Sequence, residues 1–189
     1  MWLEQFYPDE CAESVYQIDF AAWYQKGYRG VMFDIDNTLV PHGADATKEA
    51  VEFFRRLQKA GWKTCLISNN KEARVKRFNQ EIGSLFLFDA HKPSRAGYQK
   101  AMKLMGTAPE TTLLIGDQLF TDVYGAKRSG IYSILTTPIH KKEEIQIVLK
   151  RRLERIVLHF YQKEQQTGKR NKAEQRKRQA DGETKRKRR

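Results

Sequence analysis

Two aspartates close a short apolar run in the segment VMFDIDNTLV (residues 31–40), where Asp34 and Asp36 lie two positions apart. A third acid, Asp117, closes another apolar run, TTLLIGD (111–117). Carboxylates that approach one another raise each other's pKa unless a cation neutralises them. Mg²⁺ suits a site that combines a few carboxylates with a phosphate. If the three acids converge, the sequence therefore predicts a magnesium site.

Three further polar residues follow apolar runs in the same way. Ser68 and Asn69 come after WKTCLI (62–67), and Lys92 comes shortly after LFLFDA (85–90). A hydroxyl, backbone N–H groups at the start of the next helix and a fixed positive charge are all suited to binding phosphate. A carboxylate nucleophile, a metal ion and a cation around a phosphate would form a site for phosphoryl transfer.

Each of these pieces also has an ordinary interpretation. A single D-x-D is most often a solvated loop, Ser68–Asn70 alone predicts a helix cap, and Lys92–Pro93 alone predicts only a loop. A calcium loop of the EF-hand type is excluded, because it needs another oxygen ligand and a glycine where Thr38 and Leu39 stand. Each of these segments follows a successive apolar run along the chain, and this order favours one shared site over four unrelated features.

The elements that must position these residues alternate regularly from Gly30 onward. The pattern predicts five strands, at 30–35, 62–68, 85–90, 111–117 and 131–136, and four helices, at 45–61, 70–83, 94–106 and 120–130. Such alternation is typical of βαβ units in a parallel sheet, where ligands bind outside the carboxyl ends of the strands. We expect an α/β fold of the three-layer Rossmann-like type, with a mainly parallel five-stranded sheet.

The chain divides into three expected segments. Residues 1–29 form an aromatic-rich lead-in with a helix between Pro8 and Tyr16, residues 30–163 form the α/β domain, and residues 164–189 form a disordered basic tail. We expect the aromatic lead-in residues to be core, although seating at a membrane interface is an alternative; they are Trp2, Phe6, Tyr7 and Trp23. The two cysteines, Cys11 and Cys65, have no zinc spacing and are expected to be reduced and buried.

Charge is concentrated at the C-terminal end. The formal net charge is +12, and most of the excess Lys and Arg follows residue 140. The segment EEIQIVLKRRLERIVLHFY (143–161) predicts an amphipathic helix with one apolar stripe that includes Ile156, Val157 and Phe160. This helix could cover the sheet, lie on an anionic bilayer, or do both. The tail could contact anionic lipid or RNA phosphates, or serve only for solvation.

The four motifs together resemble those of a known family. DIDNT (34–38), SNN (68–70), KP (92–93) and GDQLFTD (116–122) resemble, in order, the motifs of the haloacid dehalogenase-like phosphatases. The longer strings FDIDNTLV and IGDQLFTDV are similar to the YqeG group, which comprises small uncapped enzymes of class III similar to phosphatidylglycerophosphate phosphatases. FYPDE (6–10) and RRLER (151–155) share that resemblance.

The resemblance implies a catalytic role for three residues. Asp34 would be the nucleophile that forms an aspartyl-phosphate. Asp36 would protonate the leaving oxygen and then help water to attack the intermediate. Lys92 would neutralise charge on the transferred oxygens.

The resemblance also implies the binding residues. Thr38 and Ser68 would hold the phosphoryl group with the help of Asn69. Asp34, Asp117 and the backbone carbonyl of Asp36 would hold Mg²⁺. Asp122 would orient Lys92 or a metal-bound water.

The spacing of the motifs bears on the substrate. The stretch from Val40 to Ser68 is filled by one helix and one strand, as is the stretch from Ser68 to Lys92, so neither leaves room for a cap domain. An open crevice cannot easily enclose a small metabolite, but it can admit a phosphate carried by something large. Together with the resemblance to phosphatidylglycerophosphate phosphatases, this leads us to expect a phosphatase of that anionic lipid, phosphatidylglycerophosphate, in the cytoplasm or peripherally on the inner face of the cell membrane.

Two alternatives stay open from the sequence. The first is a phosphatase of phosphoproteins or nucleic acid ends. The second is a non-enzymatic protein that binds RNA or ribosomes through its basic C-terminal end. The apolar runs are all too short to span a membrane, and the N-terminus lacks the pattern of a signal peptide.

Overall fold

The computed structural model describes residues 2–140 and 154–167. The strands are β1 (Glu10–Ala12), β2 (Gly30–Phe33), β3 (Lys63–Ile67), β4 (Leu85–Leu87), β5 (Thr112–Gly116) and β6 (Tyr132–Thr136). The helices are α1 (Phe20–Gln25), α2 (Lys48–Lys59), α3 (Glu72–Ile82), α4 (Arg95–Met105), α5 (Tyr124–Arg128) and α6 (154–167). The strands form one parallel sheet in the order β1-β6-β5-β2-β3-β4. The predicted parallel α/β fold is confirmed.

The sheet has six strands instead of the predicted five. The additional strand is β1, and the predicted helix between Pro8 and Tyr16 is wrong. β1 is an edge strand of the sheet and pairs in parallel with β6, and this pairing satisfies backbone groups that a helix would pair internally. The carboxylate of Asp9 fixes the register by accepting hydrogen bonds from the backbone N–H and the hydroxyl of Ser133, at 2.9 and 2.7 Å.

The sheet is covered on both faces, which makes three layers. Val31 and Phe33 of β2 pack with residues of α1, α2 and α3, whereas Met32 between them packs with residues of α4 and α5. All three side chains are fully buried. Alternate side chains of a strand point to opposite faces, so a strand covered on both faces is apolar throughout. The predicted core role of Phe6, Tyr7 and Trp23 is confirmed, since each is at most 8% exposed, whereas the side chain of Trp2 lies outside the described part of the structure.

Local signals set the ends of the helices. α2 begins after Thr47, whose hydroxyl accepts a hydrogen bond from the Ala50 N–H at 3.1 Å. α3 and α4 end at Gly83 and Gly106, which have φ values of 65° and 63° and therefore adopt the left-handed conformation that favours glycine. Because the helices end at these residues, the chain can continue from each helix towards the start of the next strand.

No cap domain is inserted between the motifs. Only α2 and β3 separate the turn that ends near Val40 from Ser68, and only α3 and β4 separate Ser68 from Lys92. The carboxyl edge of the sheet is thus left uncapped by the described residues.

The C-terminal helix α6 packs against the N-terminal segment. Val157 is 5% exposed and lies in a cluster with Phe6, Tyr7 and Leu119. The expected single apolar stripe is wrong at Ile156 and Phe160, which are 54% and 41% exposed, because the inward face of the helix is made by positions such as 157, 158 and 161. The cations predicted at 150–152 lie outside the described residues.

The structure bears on three smaller expectations. Residues 164–167 belong to α6, so a tail could begin only after them, and residues 168–189 lie outside the described part of the chain. The two cysteines form no disulfide; Cys65 is buried, whereas the expectation of burial is wrong for Cys11. Within 2–140 and 154–167, no helix combines the length and the apolar character needed to cross a bilayer.

A close contact between α5 and α4 gives a test of the packing. A Cβ atom added at Gly125 would overlap the hydroxyl oxygen of Tyr98, a fully buried side chain that donates to the Thr121 carbonyl at 2.7 Å. We expect Gly125→Ala to lower the free energy of unfolding by about 1–3 kcal/mol, as overpacking does. Guanidinium chloride denaturation measures the change, and an unaltered midpoint would contradict the close packing of these helices.

Candidate active site

The first strand of the site ends in a tight turn that carries Asp34 and Asp36. The backbone N–H of Asp34 still pairs with the Ile115 carbonyl at 3.0 Å, so Asp34 extends β2 beside β5. The chain then reverses: Asn37 has a φ of 64°, and its N–H donates to the Val40 carbonyl at 2.7 Å. Asparagine tolerates this left-handed conformation better than most residues, which explains its place in DIDNT.

A buried lysine joins two carboxylates that come from different strand ends. Lys92 Nζ lies 2.6 Å from Asp34 Oδ1 and 2.7 Å from Asp122 Oδ1. Its side chain is 4% exposed, and those of Asp34 and Asp122 are 10% and 1% exposed. Charged side chains this deeply buried need one another, because removal of one partner leaves an uncompensated charge. The structure thus brings together Asp34, Lys92 and Asp122, as the motifs predicted.

The group formed by Asp34, Lys92 and Asp122 requires a glycine at position 116. A Cβ atom added at Gly116, the last residue of β5, would lie 2.5 Å from the carboxyl carbon of Asp122. Asp122 Oδ2 in turn accepts a hydrogen bond from the Gln118 N–H at 3.1 Å. The glycine of GDQLFTD therefore makes room for the carboxylate that pairs with Lys92.

Burial and neighbouring charges shift the pKa of both partners. The pKa of Asp34 is raised to about 8: burial raises it most, Lys92 lowers it, and the neighbouring acids Asp122 and Asp117 raise it. Burial alone would lower the pKa of Lys92, but Asp122 and Asp34 outweigh it and raise that pKa above its usual value. Lys92 therefore stays charged, whereas Asp34 holds a proton near neutral pH unless another cation arrives.

Three carboxylates form a candidate metal centre. Oxygens of Asp34, Asp117 and Asp122 lie within 4.8 Å of one another, and all three residues are buried. One lysine cannot neutralise three acids, and the donors are all hard oxygens, so the set fits Mg²⁺. The predicted ligands Asp34 and Asp117 belong to this group, and Asp122 joins them. The predicted contribution of Asp36 is its backbone carbonyl, and this stays a prediction.

The predicted phosphate-binding residues lie along the same edge of the sheet. Thr38 Oγ1 donates to Asp117 Oδ1 at 3.3 Å, and Ser68 is 2% exposed directly after β3, where its hydroxyl accepts from the Asn70 N–H at 3.1 Å. Asn69 makes two hydrogen bonds with the backbone of Lys92, at 2.6 and 3.1 Å. Asn69 thus fixes the loop that carries the lysine, and its predicted contact with phosphate stays a prediction.

The carboxylate of Asp36 makes its hydrogen bonds outside the group formed by Asp34, Lys92, Asp117 and Asp122. Its carboxylate accepts hydrogen bonds from the Gly43 N–H at 2.7 Å, Asn70 Nδ2 at 2.6 Å and Arg74 Nη2 at 3.0 Å. Arg74 lies outside the four sequence motifs. A sequence signal was available, because Arg74 lies beside Val75 and four residues before Phe78 on α3, both fully buried, which puts a cation at the margin of an apolar face.

Known proteins are similar to this chain over much of its length. A family model described as haloacid dehalogenase-like hydrolase matches residues 42–130, which include Ser68, Lys92, Asp117 and Asp122. The "Probable phosphatase YqeG" of Bacillus subtilis is 34% identical over 154 residues, or 81% of this chain and 90% of that protein. This chain belongs to the haloacid dehalogenase-like hydrolases. It is a phosphatase, a phosphoric monoester hydrolase, as the motifs predicted.

A more distant relative has the same type of activity in its name. "Phosphatidylglycerophosphate phosphatase 1, chloroplastic/mitochondrial" of Arabidopsis thaliana is 28% identical over 162 residues, which are 80% of this chain and only 47% of that protein. Among solved structures, the cobalt-bound deoxy-D-mannose-octulosonate 8-phosphate phosphatase of Haemophilus influenzae is 16% identical, with a TM-score of 0.48. The match covers 59% of this chain and 69% of that chain.

The raised pKa of Asp34 predicts proton release on metal binding. Below pH 8 the metal-free carboxyl group is protonated, and a divalent cation favours the carboxylate, so Mg²⁺ binding should release close to one proton at pH 7. Above pH 9 the release should vanish. Titration calorimetry with MgCl₂ in buffers of different ionisation enthalpy counts the protons. A heat at pH 7 that does not depend on the buffer would contradict the prediction.

Because Lys92 pairs with Asp122, we expect a substitution that breaks this pair to lower activity. Asp122→Asn removes one charge partner and should lower kcat about 10- to 100-fold, as changes to groups that orient catalytic residues do. The matched control is Asp89→Asn, which breaks an exposed contact with Lys71. Equal activity of the two variants, measured with p-nitrophenyl phosphate, would show that the buried pair is dispensable.

Proposed function

We propose that this phosphatase depends on Mg²⁺, works through an aspartyl-phosphate on Asp34, and hydrolyses phosphatidylglycerophosphate to phosphatidylglycerol. The observation that carries the mechanism is the buried contact between Lys92 and Asp34, 2.6 Å long, beside two more acids. This contact places a carboxylate oxygen of Asp34 next to a fixed positive charge. An incoming phosphoryl group needs both, the carboxylate as its nucleophile and the positive charge to stabilise its oxygens.

The first half of the reaction transfers the phosphoryl group to the protein. A carboxylate oxygen of Asp34 forms a bond to phosphorus, and the bond to the leaving oxygen breaks. Asp36 gives its proton to that oxygen, which departs as an alcohol. Lys92 stabilises the charge on the transferred oxygens, and bound Mg²⁺ would supply further positive charge to them.

The second half returns the protein to its starting state. The carboxylate of Asp36 accepts a proton from water while the water oxygen bonds to phosphorus. The bond between phosphorus and Asp34 then breaks, which releases inorganic phosphate. Thr38 and Ser68 hold the phosphoryl group in both halves, with Asn69 fixing the loop of Lys92.

Two observations support the lipid substrate. The relatives from Arabidopsis thaliana and Chlamydomonas reinhardtii are both named phosphatidylglycerophosphate phosphatases, and their matches cover 80% and 78% of this chain. The uncapped edge of the sheet suits a phosphate that is held at a large surface. On this proposal the enzyme acts peripherally at an anionic membrane, with its lipid substrate as the partner.

A substrate panel with and without Mg²⁺ tests the proposal. We expect phosphate release from phosphatidylglycerophosphate in mixed micelles to depend on Mg²⁺, and Asp34→Asn to abolish it. The panel also contains glycerol 3-phosphate, phosphoglycolate, a phosphopeptide and an oligonucleotide with a 5′-phosphate.

The outcomes separate mechanism from substrate. Turnover of a soluble ester, phosphopeptide or oligonucleotide without turnover of the lipid would reject the lipid and retain the mechanism. Full activity of Asp34→Asn on any substrate would reject the aspartyl-phosphate.

A further inference from the structure

The carboxylate of Asp36 is held by three donors from separate parts of the chain. Oδ1 accepts from the Gly43 N–H at 2.7 Å and from Arg74 Nη2 at 3.0 Å, and Oδ2 accepts from Asn70 Nδ2 at 2.6 Å. The side chain of Asp36 is 11% exposed. With both oxygens bonded, the carboxylate has one orientation, which the backbone of the turn alone does not impose.

Arg74 links this carboxylate to the loop that follows it. The same Nη2 atom donates to the Ala44 carbonyl at 2.7 Å, and the arginine side chain is 12% exposed. Its other two nitrogens, Nε and Nη1, are buried and have no hydrogen-bond partner among the described residues. A buried guanidinium with unpaired donors destabilises a fold. Packing therefore does not explain the arginine, whereas its contact with Asp36 does.

We propose that Arg74 is a positioning residue, which holds the side chain of Asp36 where it exchanges a proton with the leaving oxygen. This inference rests on the acid role of Asp36 in the proposed function. It concerns the step in which the bond from Asp34 to phosphorus forms, the bond from phosphorus to the leaving oxygen breaks, and the proton of Asp36 passes to that oxygen to give the free alcohol. It does not depend on which alcohol leaves.

If Arg74 positions Asp36, replacing Arg74 should change how strongly the rate depends on the leaving group. p-Nitrophenolate is stable as an anion and departs with little help from an acid, whereas phenolate and alkoxides need the proton. A misplaced acid therefore slows poor leaving groups more than good ones, and general acid catalysis contributes about 10²–10⁴-fold in total. A purely structural loss would slow all esters by the same factor.

Arg77 offers a matched control on the same helix. It lies three residues after Arg74, donates to the Gly43 carbonyl at 3.0 Å and pairs with Asp45. It thus anchors the same loop, but none of its hydrogen bonds or ion pairs involves Asp36. A comparison of the two arginines separates anchoring of the loop from positioning of the acid.

The experiment measures kcat/KM, which reports the step in which the leaving group departs, for a series of aryl phosphates from p-nitrophenyl to phenyl phosphate, with the full chain and Mg²⁺. We expect Arg74→Met to lower the ratio of kcat/KM for phenyl phosphate to that for p-nitrophenyl phosphate about 10- to 100-fold. Arg74→Lys, which keeps one shorter donor, should give an intermediate ratio, and Arg77→Met should keep the wild-type ratio. Arg74→Lys also provides the test if Arg74→Met does not fold, as judged by circular dichroism.

Three results would overturn the proposal or its basis. Equal losses on all esters in the Arg74 variants would make the arginine structural only. The same change of ratio in Arg77→Met would assign it to the loop. Asp36→Asn serves as the reference: if this variant itself keeps the wild-type ratio, the acid role in the proposed function fails, independently of the lipid substrate.

Discussion

The active site depends on one buried group of three side chains, in which Lys92 contacts both Asp34 and Asp122. The three side chains come from segments that follow three different strands, and they meet at 2.6 and 2.7 Å with almost no exposure to water. The carboxylate of Asp122 compensates the charge of Lys92, because either charge alone would be unstable at that depth, and Asp34 adds a second negative charge when it loses its proton. The strands β2, β4 and β5 must therefore keep their order and their lengths for the site to exist.

Much of the surrounding structure serves this contact. Asn69 binds the backbone of Lys92 from the end of β3, and Gly116 gives Asp122 the space that a Cβ atom would occupy. Asp117 adds a third acid, which leaves the group with more negative than positive charge. Burial, together with the two neighbouring acids, raises the pKa of Asp34 to about 8. The excess of negative charge suits the site to a divalent cation and, with it, a phosphate.

The sequence predicts this part of the molecule well for a physical reason. Strands buried on both faces are read from continuous apolar runs, and polar residues directly after them must lie at the carboxyl edge, as Asp34, Ser68 and Asp117 do. The types of the motif residues, which are acids, a lysine and hydroxyl side chains, indicate the chemistry of the site. Neither signal depends on contacts between segments that are distant along the chain.

Features that depend on such contacts were missed. β1 exists because β6 offers an edge, and its own three residues have no strand pattern. Arg74 reaches Asp36 only because α3 folds back over the turn that follows β2, and the helical period alone does not distinguish this contact from a solvated face. Likewise, the inward face of α6 is chosen by the cluster around Phe6 and Tyr7, which left Ile156 exposed.

The central claim is that Asp34, next to Lys92, takes the phosphoryl group. Borohydride reduces an acyl phosphate to an alcohol, so quenching the enzyme during turnover with sodium borohydride should convert Asp34 to homoserine. Peptide mass spectrometry should find this product at position 34 only when substrate and Mg²⁺ are both present. Continuous turnover with an unmodified position 34, or with the modification at Asp117 or Asp122 instead, would contradict the account.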